Sequence, residues 1–90
     1  MQDDGKNRIS VEIYGHQYRL SGKASVTHMR MVAGYVDDRM NEIAKGNHRL
    51  DTAKIAVLTA VNIADEYIRL QQEYQELLRL LQEDAAEANE

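Results

Sequence analysis

An α+β fold is predicted for this 90-residue chain: a β-hairpin followed by two helices (ββαα), the second long and ending in a dimeric coiled coil. Two patterns carry that prediction. Apolar and polar residues alternate from Arg8 to Ser21 with one break at Gly15, the period of strands that bury one face. Downstream, Ala53, Ala56, Ala60, Ile63, Tyr67, Leu70, Tyr74, Leu77 and Leu81 recur at alternating steps of three and four. A spine of that 3.5-residue period keeps one seam aimed at a second helix over many turns, whereas a lone surface helix follows a 3.6-residue period with a broader face. The chain is therefore expected to have a helical partner, the simpler alternative being one amphipathic helix laid on a small core.

Taken in order, residues 1–7 are polar and predicted disordered. In the first strand Ile9, Val11 and Ile13 share one face, and Arg8, Ser10 and Glu12 share the other. Gly15-His16 is read as the loop, because glycine first in a two-residue connection suits a type II′ turn, and Tyr18 and Leu20 resume the alternation. A two-stranded ribbon is marginal in water, so this one must pack on helices or pair with the edge strand of another subunit.

Ser25 or Thr27 can cap the first helix, in which Met29, Val32, Ala33, Val36, Met40 and Ile43 are spaced for one face. Arg30, Asp37, Asp38, Arg39, Asn41 and Glu42 fall on the other, where Asp37 and Asp38 read as solvated helix-face charges. The helix is expected to stop near Lys45, since Gly46-Asn47 suits a left-handed C-terminal cap. Asp51 then caps the second helix, with Leu50 and Ile55 at the spacing of a hydrophobic staple.

From Thr52 to about Glu83 there is neither proline nor glycine, so about 32 residues at about 1.5 Å each give a rod near 48 Å. That outruns a fifty-residue head, about 20 to 25 Å across. Beside the spine Val57, Val61, Ala64 and Ile68 form a second apolar row that Leu58 widens, so the first four turns are expected to be buried almost all round. Asn62, the strongly polar side chain of that stretch, is expected to satisfy hairpin backbone groups or to set helix register. From Leu70 onward one apolar seam remains, and Gln82 to Glu90 loses it and should fray. The expected organisation is 1–7 disordered, 8–68 a dimerising head, 69–83 a coiled-coil extension and 84–90 an acidic tail.

Composition narrows the function. Without cysteine there are no disulfides or thiolate sites, and His16, His28 and His48 lack the spacing of helical ligand pairs, so no metal or cofactor is expected. No apolar run reaches the roughly 18 residues that span a bilayer, and the first residues have no hydrophobic signal core, which predicts a cytoplasmic chain without membrane insertion. Residues 1–50 carry eight Lys and Arg against six Asp and Glu (+2), and residues 51–90 carry three against nine (−6). A +2 head is too weak to neutralise phosphates, so nucleic acid is not an expected partner. No nucleophile stands beside a base and no glycine-rich phosphate loop is present, so catalysis is not expected either. The adjacent pairs Asp37-Asp38 and Asp65-Glu66 diverge by about 100° on a helix and do not converge on a reacting atom. Tyr67 and Tyr74 read as seam-filling rings whose hydroxyls reach the rim.

Several runs together resemble one family: Val11-Glu12-Ile13-Tyr14-Gly15 followed by Tyr18-Arg19-Leu20, then Val36-Asp37-Asp38-Arg39-Met40, Leu50-Asp51-Thr52, and Ala56 through Tyr67 with its Ala-Val-Asn-Ile-Ala core. Over roughly residues 8–70 the chain is similar to the bacterial cell-division ZapA family, whose members bind the tubulin-like GTPase FtsZ. The resemblance implies a dimerising ββαα head, a coiled coil, and cross-linking of FtsZ protofilaments at the mid-cell division ring, with GTP turnover lowered only indirectly. It points to His16, Arg19 and His48 as FtsZ contacts. Arg39, Lys45, Arg49 and Lys54 join them as further candidates, the last three from charge and position. Self-association is assigned to Ala60, Ile63, Tyr67, Leu70, Tyr74, Leu77 and Leu81, as a homodimer with a dimer of dimers as the larger assembly. The seam ends near Leu81, earlier than in several members of the family, which leaves the tetramer in question. The rival reading is a general coiled-coil adaptor that binds another cytoplasmic protein.

Overall fold

The computed structural model describes residues 5–88 and contains four elements: β1 (Asn7–Ile13), β2 (His16–Gly22), α1 (Val26–Gly46) and α2 (Thr52–Ala88). This is the ββαα order that the patterning predicts. Of the expected disordered start, residues 1–4 lie outside the described residues, and Asn7 already belongs to β1, its side-chain amide donating to the Ala24 carbonyl at 2.8 Å.

β1 and β2 are antiparallel, with Ile9 opposite Leu20, Val11 opposite Tyr18 and Ile13 opposite His16. Opposed residues share a face of the ribbon, so Ile9, Val11, Ile13 and Leu20 turn together onto Met29 and Ala33 of α1 and form the core. Arg8, Ser10 and Glu12, opposite Ser21, Arg19 and Gln17, make the outer face.

The loop is Tyr14-Gly15, one residue earlier than the sequence suggests. Both residues have positive φ, 51° and 79°, the type I′ pattern and not type II′. Pairing of Ile13 with His16 closes the ladder and takes His16 into β2. A tyrosine in the left-handed region costs about 1–2 kcal/mol. The Tyr14 backbone N–H donates to Oδ1 of Asp37 on α1 at 2.7 Å, and a hydrogen bond to a charged group contributes about 1.5–3 kcal/mol, enough to offset that cost. Asp37 is thus not the solvated charge that its polar neighbours suggest; it is half-buried and ties the hairpin tip to α1.

Ser25 caps α1, its hydroxyl accepting the His28 N–H at 3.1 Å. Met29, Ala33 and Met40 are buried, while Val32, about 60° round the helix from Met29, is exposed. At the other end no left-handed cap forms, for Asn47 has φ −142°. Its backbone N–H donates to the Ala44 carbonyl at 3.1 Å and its side-chain amide to the Ile43 carbonyl at 2.8 Å, so the asparagine satisfies two terminal acceptors without a left-handed turn.

Asp51 caps α2, Oδ1 accepting the Lys54 N–H at 2.9 Å. One turn on, Ile55 is wholly buried, and Thr59 is 2 % exposed with its hydroxyl donating to the Ile55 carbonyl at 2.7 Å. The helix runs 37 residues, about 55 Å, so the stretch from Gln82 expected to fray is helical as far as Ala88. Alanines 85, 86 and 88 are strong helix formers and nothing in the stretch breaks the ladder. Asn89 and Glu90 lie outside the described residues.

The chain divides into two compact units between Thr59 and Ala60, inside the stretch assigned to the head from sequence. Thr59 is the last buried residue of α2 among those described. Val57, Leu58 and Asn62 are exposed, and Val61 and Tyr67 are each 63 % exposed. All-round burial of the first four turns is therefore not reached within one copy, and Asn62 is not the buried amide that the sequence suggests.

Candidate protein-binding surface

Arg19 lies on the outer face of the hairpin. Its cross-strand neighbour is Ser10, whereas the loop expected from sequence would have set it opposite Glu12; the one-residue change in loop position replaces a carboxylate with a hydroxyl. Arg8, opposite Ser21, is the diagonal neighbour of Arg19 on that face, and an open groove of about 470 Å³ runs past Arg8, Ser10, Arg19 and Ser21. Sequence reasoning missed Arg8, although alternation alone places it with Ser10 and Glu12. His16 is exposed too, but in register with Ile13, so it belongs to the opposite face from Arg19 at the tip of the ribbon.

A second basic group forms at the joint between the helices. Lys45 occupies the last turn of α1, where the carbonyl end of the helix favours a cation. His48 and Arg49 follow in the connection and Lys54 in the first turn of α2, all exposed. Asp51, the acid among them, has an oxygen committed to its cap. Beside Lys54 a groove of about 490 Å³ is lined by Leu50, Ala53, Val57 and Leu58, so charge and apolar surface adjoin, a composition suited to protein docking. The Tyr14–Asp37 bond fixes the hairpin tip on α1 eight residues, or about 12 Å of helix rise, before Lys45.

Arg39 belongs to neither group. Its guanidinium lies 5.2 Å over the Tyr35 ring, donates to the Tyr35 hydroxyl at 3.0 Å and pairs with Glu42 at 3.4 Å. Those partners make it part of α1's own surface.

In the second unit the spine residues Ala60, Ile63, Tyr67, Leu70, Tyr74, Leu77 and Leu81 follow one stripe of α2, half-buried at Ile63 and exposed at the rest. Charged pairs share the remaining circumference with Val61, Ile68, Leu78 and Leu80, which are exposed as well. Arg69 meets Asp65 at 2.9 Å, and Arg79 meets Glu76 and Glu83 at 2.5 Å each. Hydrogen bonding to Arg79, helped by its charge and opposed by partial desolvation, holds the Glu76 carboxyl below its ordinary value; the same bond, with the charge of Glu76, raises Arg79. Among the described residues no cluster of His, Cys, Asp or Glu could hold a metal, and no helix is long and apolar enough to cross a membrane. The arrangement offers contact surfaces: two basic groups and an apolar stripe.

The family model for cell division protein ZapA matches residues 9–90. The chain belongs to the ZapA family. A ZapA of Geobacillus sp. (strain WCH70) is 47 % identical over 87 residues, covering 97 % of this chain and all of the relative. A Bacillus mycoides (strain KBAB4) ZapA is 51 % identical over 76 residues, covering 84 % and 85 %. Among solved structures, one described as a ZapA mutant dimer from Geobacillus stearothermophilus has a TM-score of 0.70 and 48 % identity, covering 91 % of this chain and 95 % of that one. The ZapA match takes in Arg19, the basic group at the helix joint and the whole apolar stripe, and leaves Arg8 just outside it.

Proposed function

We propose that this cell-division protein binds FtsZ and cross-links its protofilaments as a homodimer, promoting assembly and stability of the division ring at mid-cell in the cytoplasm. The observation that carries the reading is the uncovered stripe of α2 from Ala60 to Leu81, with Leu70 65 % and Tyr74 59 % exposed. Fully burying a leucine is worth about 1.5–3 kcal/mol, so a second copy laid along the stripe gains more than enough to order two helices already formed. The neighbouring structure, by its description a dimer of a ZapA mutant, supports this.

A dimer duplicates the basic groups. His16 and Arg19 on the hairpin and Lys45, His48, Arg49 and Lys54 at the joint are the proposed FtsZ contacts, and Arg39 joins them only by giving up Tyr35 and Glu42. Two weak contacts on one particle become an avid bridge, because the second binds at the high effective concentration set by the first. A dimer of dimers through the same stripe would multiply the bridge further. Bundled filaments exchange subunits slowly, so GTP turnover falls without any group of this chain reaching the nucleotide; the protein acts by assembly and not as an enzyme.

Co-sedimentation with FtsZ and GTP tests the proposal. Added protein is expected to raise the pelleted polymer, and no increase overturns the reading. Arg19→Glu is expected to weaken bundling severalfold at unchanged dimer mass; normal bundling would remove Arg19 from the contact.

A further inference from the structure

We infer that Asp37 is the positioning residue of the hairpin tip, its carboxylate holding Tyr14-Gly15 in the conformation that presents His16 to the partner protein. The inference rests on the proposed binding of FtsZ, and three observations carry it. Tyr14 is the one non-glycine residue at positive φ among those described, so the tip adopts a conformation that its own side chain disfavours. Its N–H donates across 23 positions of sequence to Asp37 Oδ1 at 2.7 Å, in a half-buried site. The Asn41 side-chain amide donates to the same oxygen at 3.3 Å and to the Asp37 carbonyl at 2.8 Å, so the carboxylate is aimed at the tip from within α1.

Leverage from this bond is uneven along β2. His16 follows the loop directly and pairs with Ile13 at the last rung, so release of the tip displaces it most. Arg19 lies deeper, between rungs anchored by the core residues Val11 and Ile9, and moves least. The apolar core sets where the ribbon lies on α1; Asp37 sets where the ribbon ends. Nothing lies within 4 Å of a Cβ built at Gly15, so the tip is limited by backbone conformation and not by crowding.

The experiment uses the full chain in FtsZ co-sedimentation, with mass by light scattering and helicity by circular dichroism. Asp37→Ala is expected to raise the concentration for half-maximal pelleting roughly fivefold, the loss of about one hydrogen bond, while Asp37→Asn, whose amide oxygen still accepts the Tyr14 N–H, stays within about twofold of the native protein. His16→Ala should weaken pelleting, and combining it with Asp37→Ala should add little, because both remove one presented group. Native pelleting by Asp37→Ala, or full additivity with His16→Ala, overturns the inference while leaving the FtsZ reading intact. If the unmutated protein itself fails to pellet FtsZ, the proposed function is overturned and the inference falls with it. Should Asp37→Ala lose helicity, Asn41→Ala decides, since it spares the carboxylate and removes the group that aims it; unchanged pelleting by that variant overturns the inference.

Discussion

Ile55 and Thr59 show how little of α2 the single chain covers for itself. Ile55 is wholly enclosed, and Thr59 is accommodated one turn later only because its hydroxyl bonds the Ile55 carbonyl; a buried hydroxyl without that bond would cost about 1–3 kcal/mol. Ile55→Ala is expected to destabilise by about 2–5 kcal/mol, read as a lower midpoint in thermal or urea unfolding at fixed protein concentration. Val57→Ala, at a residue 63 % exposed in one copy, should cost far less if the monomer sets stability and comparably if the dimer does. The residue that sequence reasoning placed least well was Asp37. It stands among Asp38, Arg39, Asn41 and Glu42, and a run of polar residues on a helix carries no mark of which one meets a strand 23 residues away. The caps were more legible, Asp51 outright and Ser25 as one of two candidates with Thr27, because a cap acts on backbone groups three residues off.

At the scale of elements, α2 is held from its outer side by short-range charge pairs as well as by propensity. Arg79 is bonded to Glu76 a turn before it and Glu83 a turn after it, which helps carry the helix past the end of the apolar seam into Asp84 and Ala85. Glu76 is lowered in the folded helix, so its share of helix stability is fully present above the ordinary carboxylate value of 4.5 and is lost as pH falls through the lowered value. By carboxyl-detected NMR titration, Arg79→Ala is expected to move the Glu76 midpoint up toward 4.5; a midpoint that stays put would show that the pair does not persist in solution. Both charges are solvent-exposed, so the effect should also shrink in high salt. The hairpin differs from the helix in kind. Its faces were readable from alternation, but a loop at Gly15-His16 and one at Tyr14-Gly15 preserve the same alternation, and only closure of the ladder at Ile13 and His16 selects between them.

For the whole molecule the unmet need is cover for the apolar surface of α2. Glutamate at Leu70 and Leu77 together is expected to halve the mass seen by light scattering, since two charges per chain would face each other along the stripe; an unchanged mass would show that the stripe is not the subunit interface. The basic groups should survive such a change, because His16 and Arg19 sit on the hairpin and Lys45, His48, Arg49 and Lys54 at the helix joint, all before Thr59. Separating assembly from contact in this way tells bivalency from simple binding: the disrupted variant should still bind FtsZ but no longer bundle it.

By itself the sequence determined the element order, the N-cap of α2, the identity of the core strand face and the existence of an apolar seam, and it narrowed the N-cap of α1 to Ser25 or Thr27, because each depends on residues a few positions apart or on a period that a single chain displays. Resemblance in those same runs pointed to the ZapA family. Tertiary structure decided the rest: that the loop is Tyr14-Gly15, that Asp37 anchors it, that Arg8 stands beside Arg19 while His16 does not, that Arg39 is engaged with Tyr35 and Glu42, and that among the described residues of α2 full burial goes no further than Thr59. These turn on contacts between distant segments, and no local pattern of charge or hydropathy records which partner a side chain will meet.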